Sequence, residues 1–384
     1  MITRQEAIDL ISDLVKIESA NTWLIPEGSG ERKVQEYIRD WLANIGIETH
    51  FERIDEGHEN LVGTMKGTGG GKPITLYAHA DTVGFELWKD RAFNPTVDGD
   101  ILYGLGSADD KGHCASIMLA LKEIKGRGIQ PAGDVNFCFV ADEEGTTVGT
   151  IDYVEKHEPT ATLVLEAAPL EDINTTHQGF GWLEITTEGK AGHGSAADTA
   201  TDAIYHMAEV IIRLQKNARE NFAPKADPMN GETVYHTGRI MGGTDFASYP
   251  EECRLQIEIG TQVGETIADR VKEIEDIFRE IKEFEPNFSG RVEVALDRNP
   301  FISRGTEELY DILADKAEMV HGTRPESVGE NGWGDAQLFQ DAGFPTLGYG
   351  APGGNLHSPD EWISIPGFIE LVEILVETIK EYCR

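Results

Sequence analysis

The sequence predicts an α/β protein with a largely parallel sheet, into which a smaller α+β domain is inserted. Helical and strand patterns alternate through the first part of the chain, as they do in parallel sheets covered by helices. Near Thr176 the order changes to strand–helix–strand–strand–helix–strand, which is typical of a ferredoxin-like unit. The α/β pattern then resumes. We therefore predict one α/β domain from residues 1–176 and 297–384, and an inserted domain from residues 177–296.

The elements of the first segment follow from the spacing of apolar residues and from the residues that begin and end helices. Thr3 and Glu6 fit a capping box at the first helix, and Gly46 is placed to end the second. The predicted helices cover residues 3–17, 30–45, 112–125 and 147–157, and the predicted strands cover residues 60–66, 74–78, 134–140 and 161–165.

The other two segments are predicted in the same way. Strict alternation of polar and apolar residues over 181–188 indicates a half-buried strand. The inserted segment has predicted strands at 181–188, 233–241, 254–259 and 291–296 and predicted helices at 198–217 and 265–284. The last segment has predicted helices at 305–320, 334–342 and 366–382 and a predicted strand near 345–349.

The net charge is strongly negative. The 384 residues include 33 Lys and Arg against 68 Asp and Glu, a formal charge of −35. Such a surface repels phosphate backbones and anionic lipids, so we expect neither a nucleic-acid nor a membrane partner. Salt at about 1 M would screen the self-repulsion of this surface. A halophilic source is one interpretation of the charge, and an ordinary acidic protein is the alternative.

The cysteine content indicates the cellular compartment. Cys114, Cys138, Cys253 and Cys383 show no CxxC spacing, and so few cysteines favour reduced thiols in a cytoplasm. The first residues form a helix pattern and do not resemble a secretory signal. No apolar run approaches the roughly 18 residues of a membrane span. We therefore expect a cytoplasmic protein.

Acidic and histidine side chains follow several predicted strands, where open α/β sheets bind ligands. In chain order they are His79 and Asp81, Asp109 and Asp110 in a glycine-flanked loop, Asp142, Glu143 and Glu144, Glu166, and His357. Each alone has an ordinary explanation, such as a helix cap, a solvated turn or a structural histidine. Together they offer the mixed nitrogen and oxygen ligands that suit zinc, and also cobalt or manganese. Two metals in one site need a bridging carboxylate.

With these motifs the whole chain resembles the M20 metallopeptidases, a family that includes acetylornithine deacetylase, succinyl-diaminopimelate desuccinylase, carboxypeptidase G2 and aminoacylase. His79-Ala80-Asp81 and the loop 104–112 match its first two metal motifs. The resemblance implies a two-metal, aminopeptidase-like catalytic domain with an inserted lid or dimerisation domain. It implies a catalytic role for Asp81, which orients His79, and for Glu143, which is the general base. The metal ligands it implies are His79, Asp109 as the bridge, Glu144, Glu166 and His357.

The inserted domain carries two further motifs of this resemblance. Lys190 to Ser195 is similar to the lid motif, in which His193 would reach the partner subunit's active site and steady the oxyanion. A homodimer through the inserted domain is implied with it. The segment 242–250 resembles a substrate-clamping motif, but Ala247 stands where Asn is usual, and Gly260 stands where many members have Arg. Both departures remove groups that commonly contact the substrate.

The resemblance implies a two-metal hydrolase that cleaves the amide bond of an N-acyl amino acid or a related diamino acid, of the deacetylase or desuccinylase type. A dipeptidase or carboxypeptidase with the same centre is the nearest alternative. Two other classes are a catalytically silent binding homologue, which would not need Glu143, and a structural halophilic protein. The GxGxxG at 348–353 is followed by no helical pattern and is not a dinucleotide site. His113 is interpreted as a supporting or surface residue, not as a ligand.

Overall fold

The computed structural model describes residues 2–86 and 88–384. The α-helices are α1 Arg4–Val15, α2 Arg32–Asn44, α3 Lys111–Gly126, α4 Val148–Lys156, α5 Ala203–Asn217, α6 Ile267–Phe284, α7 Glu307–His321, α8 Ala336–Asp341 and α9 Ile365–Tyr382. The strands are β1 Thr49–Arg53, β2 Glu59–Met65, β3 Ile74–His79, β4 Thr96–Asp98, β5 Ile101–Tyr103, β6 Val135–Val140, β7 Ala161–Leu165, β8 Asp172–His177, β9 Gly179–Glu188, β10 Gly192–His193, β11 Tyr235–Gly242, β12 Ser248–Tyr249, β13 Glu252–Thr261, β14 Ser289–Arg298, β15 Phe301–Ile302, β16 Glu326–Glu330, β17 Thr346–Tyr349, β18 Gly353–Gly354 and β19 Trp362–Ser364.

The main sheet has a parallel centre and antiparallel edges. Its order is β1-β2-β6-β3-β7-β17-β8, in which β6, β3, β7 and β17 run parallel. The pairs β1–β2, β2–β6 and β17–β8 are antiparallel. The prediction of an α/β protein with a mainly parallel sheet is confirmed. The apolar patterns did not predict that the strands at the edges of the sheet are antiparallel.

The strand order places helices on both faces of this sheet. The connection from β3 through α3 to β6 crosses the sheet in one direction, and the connection from β6 through α4 to β7 crosses it in the other. Because such crossovers are right-handed, α3 and α4 must cover opposite faces. The packing agrees, since α3 contacts α1 and α9 whereas α4 contacts α8.

Helix α3 is buried around most of its circumference, because it lies between the sheet and the helices α1 and α9. Its apolar residues join those of the main core, such as Leu76 of β3 and Leu375 of α9, and these side chains have no exposed surface. Thr3 and Glu6 form the expected capping box at α1. This rigid layer holds the first turn of α3, and the loop before it, against the sheet.

Two groups of strands differ from the prediction. β1 at the edge of the main sheet and β8 have few apolar residues, so no apolar run marks them. The short strands β18, β19, β5 and β4 form a separate antiparallel sheet in that order. In it Trp362 pairs with Tyr103, which joins two stretches of chain that are far apart in sequence. Such non-local pairing leaves no periodic signal in short segments.

The chain divides into two compact units. The first comprises residues 1–175, 303–328 and 334–384, and the second comprises residues 176–302 and 329–333. The predicted inserted domain ends at residue 296, whereas the second unit continues to residue 302. The last long strand of that unit, β14, extends to Arg298, which is two residues beyond the predicted end. Residues 329–333 belong to the second unit by their contacts, and a division by sequence pattern did not separate them.

The largest sheet of the second unit is antiparallel and has the order β11-β13-β9-β14, with α5 and α6 packed on it. Its core residues include Ile185 and Ile257 from the strands and Met207 and Ile274 from the helices. This order is that of a ferredoxin-like unit, as predicted. The short strands β10 and β12 form a separate antiparallel pair. Helix α5 begins at Ala203, later than the predicted residue 198, because the Asp202 side chain accepts hydrogen bonds from two amides of the first turn.

Among the described residues, no helix combines the length and the apolar composition that crossing a membrane requires.

Candidate metal centre

The candidate residues lie where the main sheet reverses its winding. β6 and β7 flank β3 on either side and their helices cover opposite faces, so a crevice opens beyond the carboxyl ends of these three strands. His79 is the last residue of β3, and Glu166 directly follows β7. Glu143 and Glu144 come three and four residues after the end of β6. The topology therefore brings together ligands that are widely separated in the sequence.

Asp81 holds both His79 and the turn after β6. Its carboxylate lies 3.4 Å from Nδ1 of His79, which leaves Nε2 facing the crevice. The same carboxylate accepts hydrogen bonds of 3.1 Å from the backbone N–H of Glu143 and from that of Glu144. The pattern His-x-Asp indicated the first contact, and only the structure reveals the second.

Asp109 lies between two imidazoles. Its Oδ1 is 3.0 Å from Nε2 of His79, and its Oδ2 is 3.1 Å from Nε2 of His357. The neighbouring Asp110 uses its oxygens differently, since Oδ2 accepts the backbone N–H of His79 and Oδ1 contacts Nδ1 of His113. Asp109 is thus the carboxylate with one oxygen toward each half of the crevice.

The turn after β6 directs two consecutive glutamates into the crevice. Asp142 has φ 62°, a left-handed conformation that is uncommon outside glycine and that reverses the chain here. Its own carboxylate stays within the turn and accepts hydrogen bonds from Thr146. Glu143 Oε2 is 3.8 Å from Nε2 of His79, and Glu144 Oε2 is 3.1 Å from Nε2 of His357.

Glu166 and His357 complete the two halves of the crevice. Glu166 Oε1 is 3.6 Å from Nε2 of His79. His357 lies in the connection between β18 and β19, and this small sheet places it beside the loop that carries Asp109, because that loop directly follows β5. The sequence related His357 only to the strand near 345–349, whereas the pairing of β19 with β5 determines its position.

Two groups of side chains have the spacing of metal ligands. One is His79, Asp110 and Glu166, and the other is Asp109, Glu144 and His357. In the first group Asp109 competes with Asp110. We favour Asp109 because its oxygens face the ligand nitrogens of His79 and His357, whereas those of Asp110 are bound to His113 and to the backbone N–H of His79. Oε1 of Glu144 is buried without a hydrogen-bond partner, an arrangement that costs stability unless a cation compensates it. The residues present therefore fit a pair of divalent cations.

Burial, and then repulsion between neighbouring carboxylates, shifts the pKa values of the acidic groups in the centre. Burial raises the pKa of Glu143 and of Glu166 well above the usual value, and neighbouring carboxylates add to the effect. Burial together with the charge of Asp109 raises the pKa of Glu144 to about 6. Burial alone would lower the pKa of His357, but its hydrogen bonds to Asp109 and Glu144 outweigh that effect and raise the pKa to about 11. Cations bound here would replace such protons.

Three residues that support the centre were not predicted from the sequence. Asn21 donates hydrogen bonds of 2.8 Å to both Asp81 and Asp142. Glu361 accepts the backbone N–H groups of Ala108 and Asp109 through Oε1, at 2.9 and 3.1 Å. Asp335 is fully buried and accepts a hydrogen bond of 2.5 Å from Tyr77, two residues before His79. Asn21 and Asp335 lie in stretches with no metal motif, whereas Glu361 stands four residues after His357 and could have been found from that spacing.

The remaining candidates lie elsewhere. His193 belongs to the second unit, where it is exposed and its Nδ1 is 2.9 Å from Oγ of Ser195. Its catalytic role stays a prediction. His113 is fully buried in the first turn of α3, so the interpretation as a surface residue does not apply. The segment 348–353 connects β17 to β18, and the next element is the strand β19.

Comparison with known proteins gives concordant results. The profile of peptidase family M20/M25/M40 matches residues 75–381. The chain is 26% identical to an N-formyl-4-amino-5-aminomethyl-2-methylpyrimidine deformylase of Bacillus subtilis, over 99% of this chain and 95% of that protein. It is 28% identical to an acetylornithine deacetylase of Photorhabdus laumondii, over 98% and 97%. The crystal structure of a tripeptidase from Staphylococcus aureus has the same fold, with a TM-score of 0.84 and 22% identity over the whole of both chains.

Proposed function

Because the chain belongs to peptidase family M20/M25/M40 and is a hydrolase of amide or peptide bonds, we propose that it removes the acyl group of an N-acyl amino acid or a related diamino acid. The observation that carries the proposal is the position of Asp109, with one oxygen within 3.1 Å of each of the two imidazoles, His79 and His357. Glu166 lies on one side of this bridge and Glu144 on the other.

We propose that His79, Asp109 and Glu166 hold one divalent cation and that Asp109, Glu144 and His357 hold a second. Imidazole and carboxylate ligands in this mixture suit zinc best, and cobalt and manganese are the alternatives. Bound there, two such cations would polarise the amide carbonyl and bring the pKa of a water molecule toward about 7. Asp81 keeps Nε2 of His79 directed at the crevice through its contact with Nδ1.

Glu143 is the proposed general base and acid. Its carboxylate reaches the same side of the crevice as His79 and has few exposed atoms. Its backbone N–H is held by Asp81, so the side chain leaves a fixed point of the turn. Burial raises its pKa, so that once bound cations have displaced its proton the carboxylate is a stronger base than an exposed glutamate. It would return that proton to the nitrogen that leaves.

The substrate class rests on the near full-length relatives and on two residues of this chain. The named relatives at 26% and 28% identity remove formyl and acetyl groups, so the proposed bond is an N-acyl amide. Ala247 and Gly260 lack the side chains that a substrate clamp with Asn and Arg would have. A carboxylate or amine of the substrate must therefore be recognised by other groups.

The experiment that tests this function is a panel of substrates at high and low salt. N-acetyl-ornithine, N-acetyl-methionine, an N-formyl amine and several dipeptides are assayed side by side with zinc, cobalt and manganese. Faster turnover of the N-acyl compounds supports the proposal. Faster turnover of the dipeptides would make the chain a dipeptidase with the same centre, and no turnover of any compound by metal-loaded protein would contradict both.

We further propose that His193 acts in a homodimer formed through the inserted domain. β11 is an edge strand of that domain, and Ile240 on it is about half exposed, as are Ile204 and Ile212 of α5. Exposed apolar residues beside an open strand edge favour pairing with a second chain.

Replacing His193 by alanine is expected to lower kcat by about 100-fold with unchanged metal content, because one donor to the developing oxyanion is lost. Steady-state kinetics and light scattering measure the effect. The control is His50→Ala, which removes an exposed imidazole of the other unit. An unchanged kcat, or a monomer that is fully active, would contradict this role.

We propose a halophilic source because of the large negative charge, and a cytoplasmic location because of the free cysteines. The four cysteines are free and buried, as expected for a reducing compartment. We expect the Tm to rise between about 0.1 M and about 2 M KCl, since salt screens the repulsion among 68 acidic residues. Salt also weakens exposed ion pairs such as Arg4–Asp100, but each contributes only about 0–1 kcal/mol. A Tm that is constant or falls with salt would refute the halophilic interpretation.

A further inference from the structure

His113 is a buried imidazole whose two ring nitrogens both have partners. Nδ1 lies 2.6 Å from Oδ1 of Asp110 and 3.1 Å from the carbonyl oxygen of Ala108. Nε2 accepts the backbone N–H of Ala351 at 3.0 Å. An N–H group can only donate, so Nε2 carries no proton. The proton of a neutral His113 must then be on Nδ1, from which it is donated to Asp110 and Ala108.

Asp110 links His113 to the end of β3. Its Oδ2 accepts a hydrogen bond of 2.9 Å from the backbone N–H of His79. Asp110 is the N-terminal cap residue of α3, yet its side chain makes no bond to the helix amides, because both oxygens are used by His113 and His79. A carboxylate that could cap its own helix is instead directed at the strand that ends in a metal ligand.

His113 is also linked, through the backbone of Ala351, to the segment that carries Glu166. The backbone of Ala351, which donates to His113, also accepts the N–H of Ala168, two residues after Glu166. The preceding Gly350 is packed so closely that a Cβ would lie 1.7 Å from the carbonyl oxygen of Glu166 and 2.7 Å from Nε2 of His113. No side chain fits at Gly350, and the imidazole reaches the segment that carries Glu166 through the backbone of Gly350 and Ala351.

We infer that His113 and Asp110 are positioning residues for one half of the metal centre, the half formed by His79, Asp109 and Glu166. They join the end of β3, the loop of Asp109 and the chain beside Glu166 in a buried hydrogen-bonded unit. Glu144 is held through Asp81 instead, and His357 through the small sheet, so the other half has its own supports. The inference rests on the proposed metal centre and adds that the half with His79 and Glu166 has a support of its own, besides the Asp81 carboxylate that both halves share.

The inference gives Asp110 a role other than that of a ligand. Asp110 has the spacing of a ligand beside His79 and Glu166. A positioning role predicts that Asp110→Asn keeps two metal ions per chain at saturation and binds one of them more weakly. Direct ligation predicts that one ion is lost altogether.

The test is a titration of the metal-free full-length protein with Co²⁺, followed by its visible spectrum and by calorimetry. Wild type is expected to bind two ions. His113→Phe, which removes the contacts of both ring nitrogens and keeps an aromatic ring, is expected to bind one of them about 10- to 100-fold more weakly. The other ion shares only Asp109 with this half and is expected to be weakened clearly less. His113→Asn retains a donor toward Asp110 and is expected to recover part of the affinity. Ser116→Ala is the matched control, because this buried residue of α3 donates its hydroxyl to the backbone carbonyl oxygen of His113 and not to the imidazole.

The outcomes separate the inference from the proposed function. Wild type that binds no metal would refute the proposed centre itself. Wild type that binds two ions, with His113→Phe equal to it, would refute the positioning role. Equal weakening of both ions in His113→Phe would also refute it, because a general loss of packing would affect both halves. Circular dichroism and the Tm of each metal-free variant identify any protein that has not folded.

Discussion

Replacing Glu143 by alanine is expected to reduce kcat by about 10²- to 10⁴-fold, the range that a positioned general acid–base group contributes. The variant should keep its fold and its metal, because Glu143 is held in the turn by its backbone N–H, which alanine retains. Its carboxylate is also farther from the His79 imidazole than that of Asp109. Turnover measured at saturating substrate, with the metal content determined in the same sample, gives the effect.

Two further variants define the reason for this loss. Glu143→Gln has the same shape but cannot accept a proton, so it should be as inactive as the alanine variant. Glu155→Gln removes a carboxylate from an exposed position of α4 and should be fully active. If Glu143→Ala retained near-wild-type kcat, another group would have to be the base, and the proposed mechanism would be wrong.

Replacing Asp109 by asparagine is expected to abolish activity by a different route, the loss of metal. Asp109 offers one carboxylate oxygen to each half of the centre, and an asparagine has only one acceptor oxygen. Both ions should therefore be bound much more weakly, whereas a change at Glu144 or Glu166 affects one half. The backbone of Asp109 remains anchored by Glu361, so the loop is expected to keep its place.

Metal content after gel filtration and the Tm with and without added zinc test this expectation. A ligand that binds only the folded state raises the apparent stability, so the Tm of wild type should rise with zinc. The Tm of Asp109→Asn should respond little. Asp98→Asn, which changes an exposed residue of β4, is the control. A variant at Asp109 that retained two ions per chain would contradict the bridging role.

Much of the fold could be predicted because its helices and inner strands have strong periodic signals. α9 is long and β3 is mostly apolar, and their predicted bounds agree with the structure within one residue. β1 and β8 were not predicted, because edge strands with polar residues lack that signal. The start of α5 was misplaced since the cap formed by Asp202 was not recognised.

The candidate site was predictable as a set of residue types, and less so as a geometry. Asp109, Glu143 and His357 were predicted from motifs, and the structure brings them together in one crevice. The contact of Asp81 with the amides of Glu143 and Glu144 could not be predicted, because it joins the ends of two strands that are neighbours only in the folded sheet. Asn21 and Asp335 were missed for the same reason.

By itself the sequence determined the residue types: carboxylates and imidazoles after the strands, and an excess of acidic residues. It also determined the alternation of helices and strands that is typical of a sheet covered by helices. The tertiary structure decided the task of the neighbouring Asp110, whose oxygens bind His113 and the backbone of His79, and it showed that His113 is hydrogen-bonded beside three segments that carry candidate ligands. The physical reason is that residue types are local properties, whereas hydrogen bonds among strand ends depend on strand order. Reversing the crossover through α3 would place that helix, and the loop with Asp109 that leads into it, on the other face of the sheet.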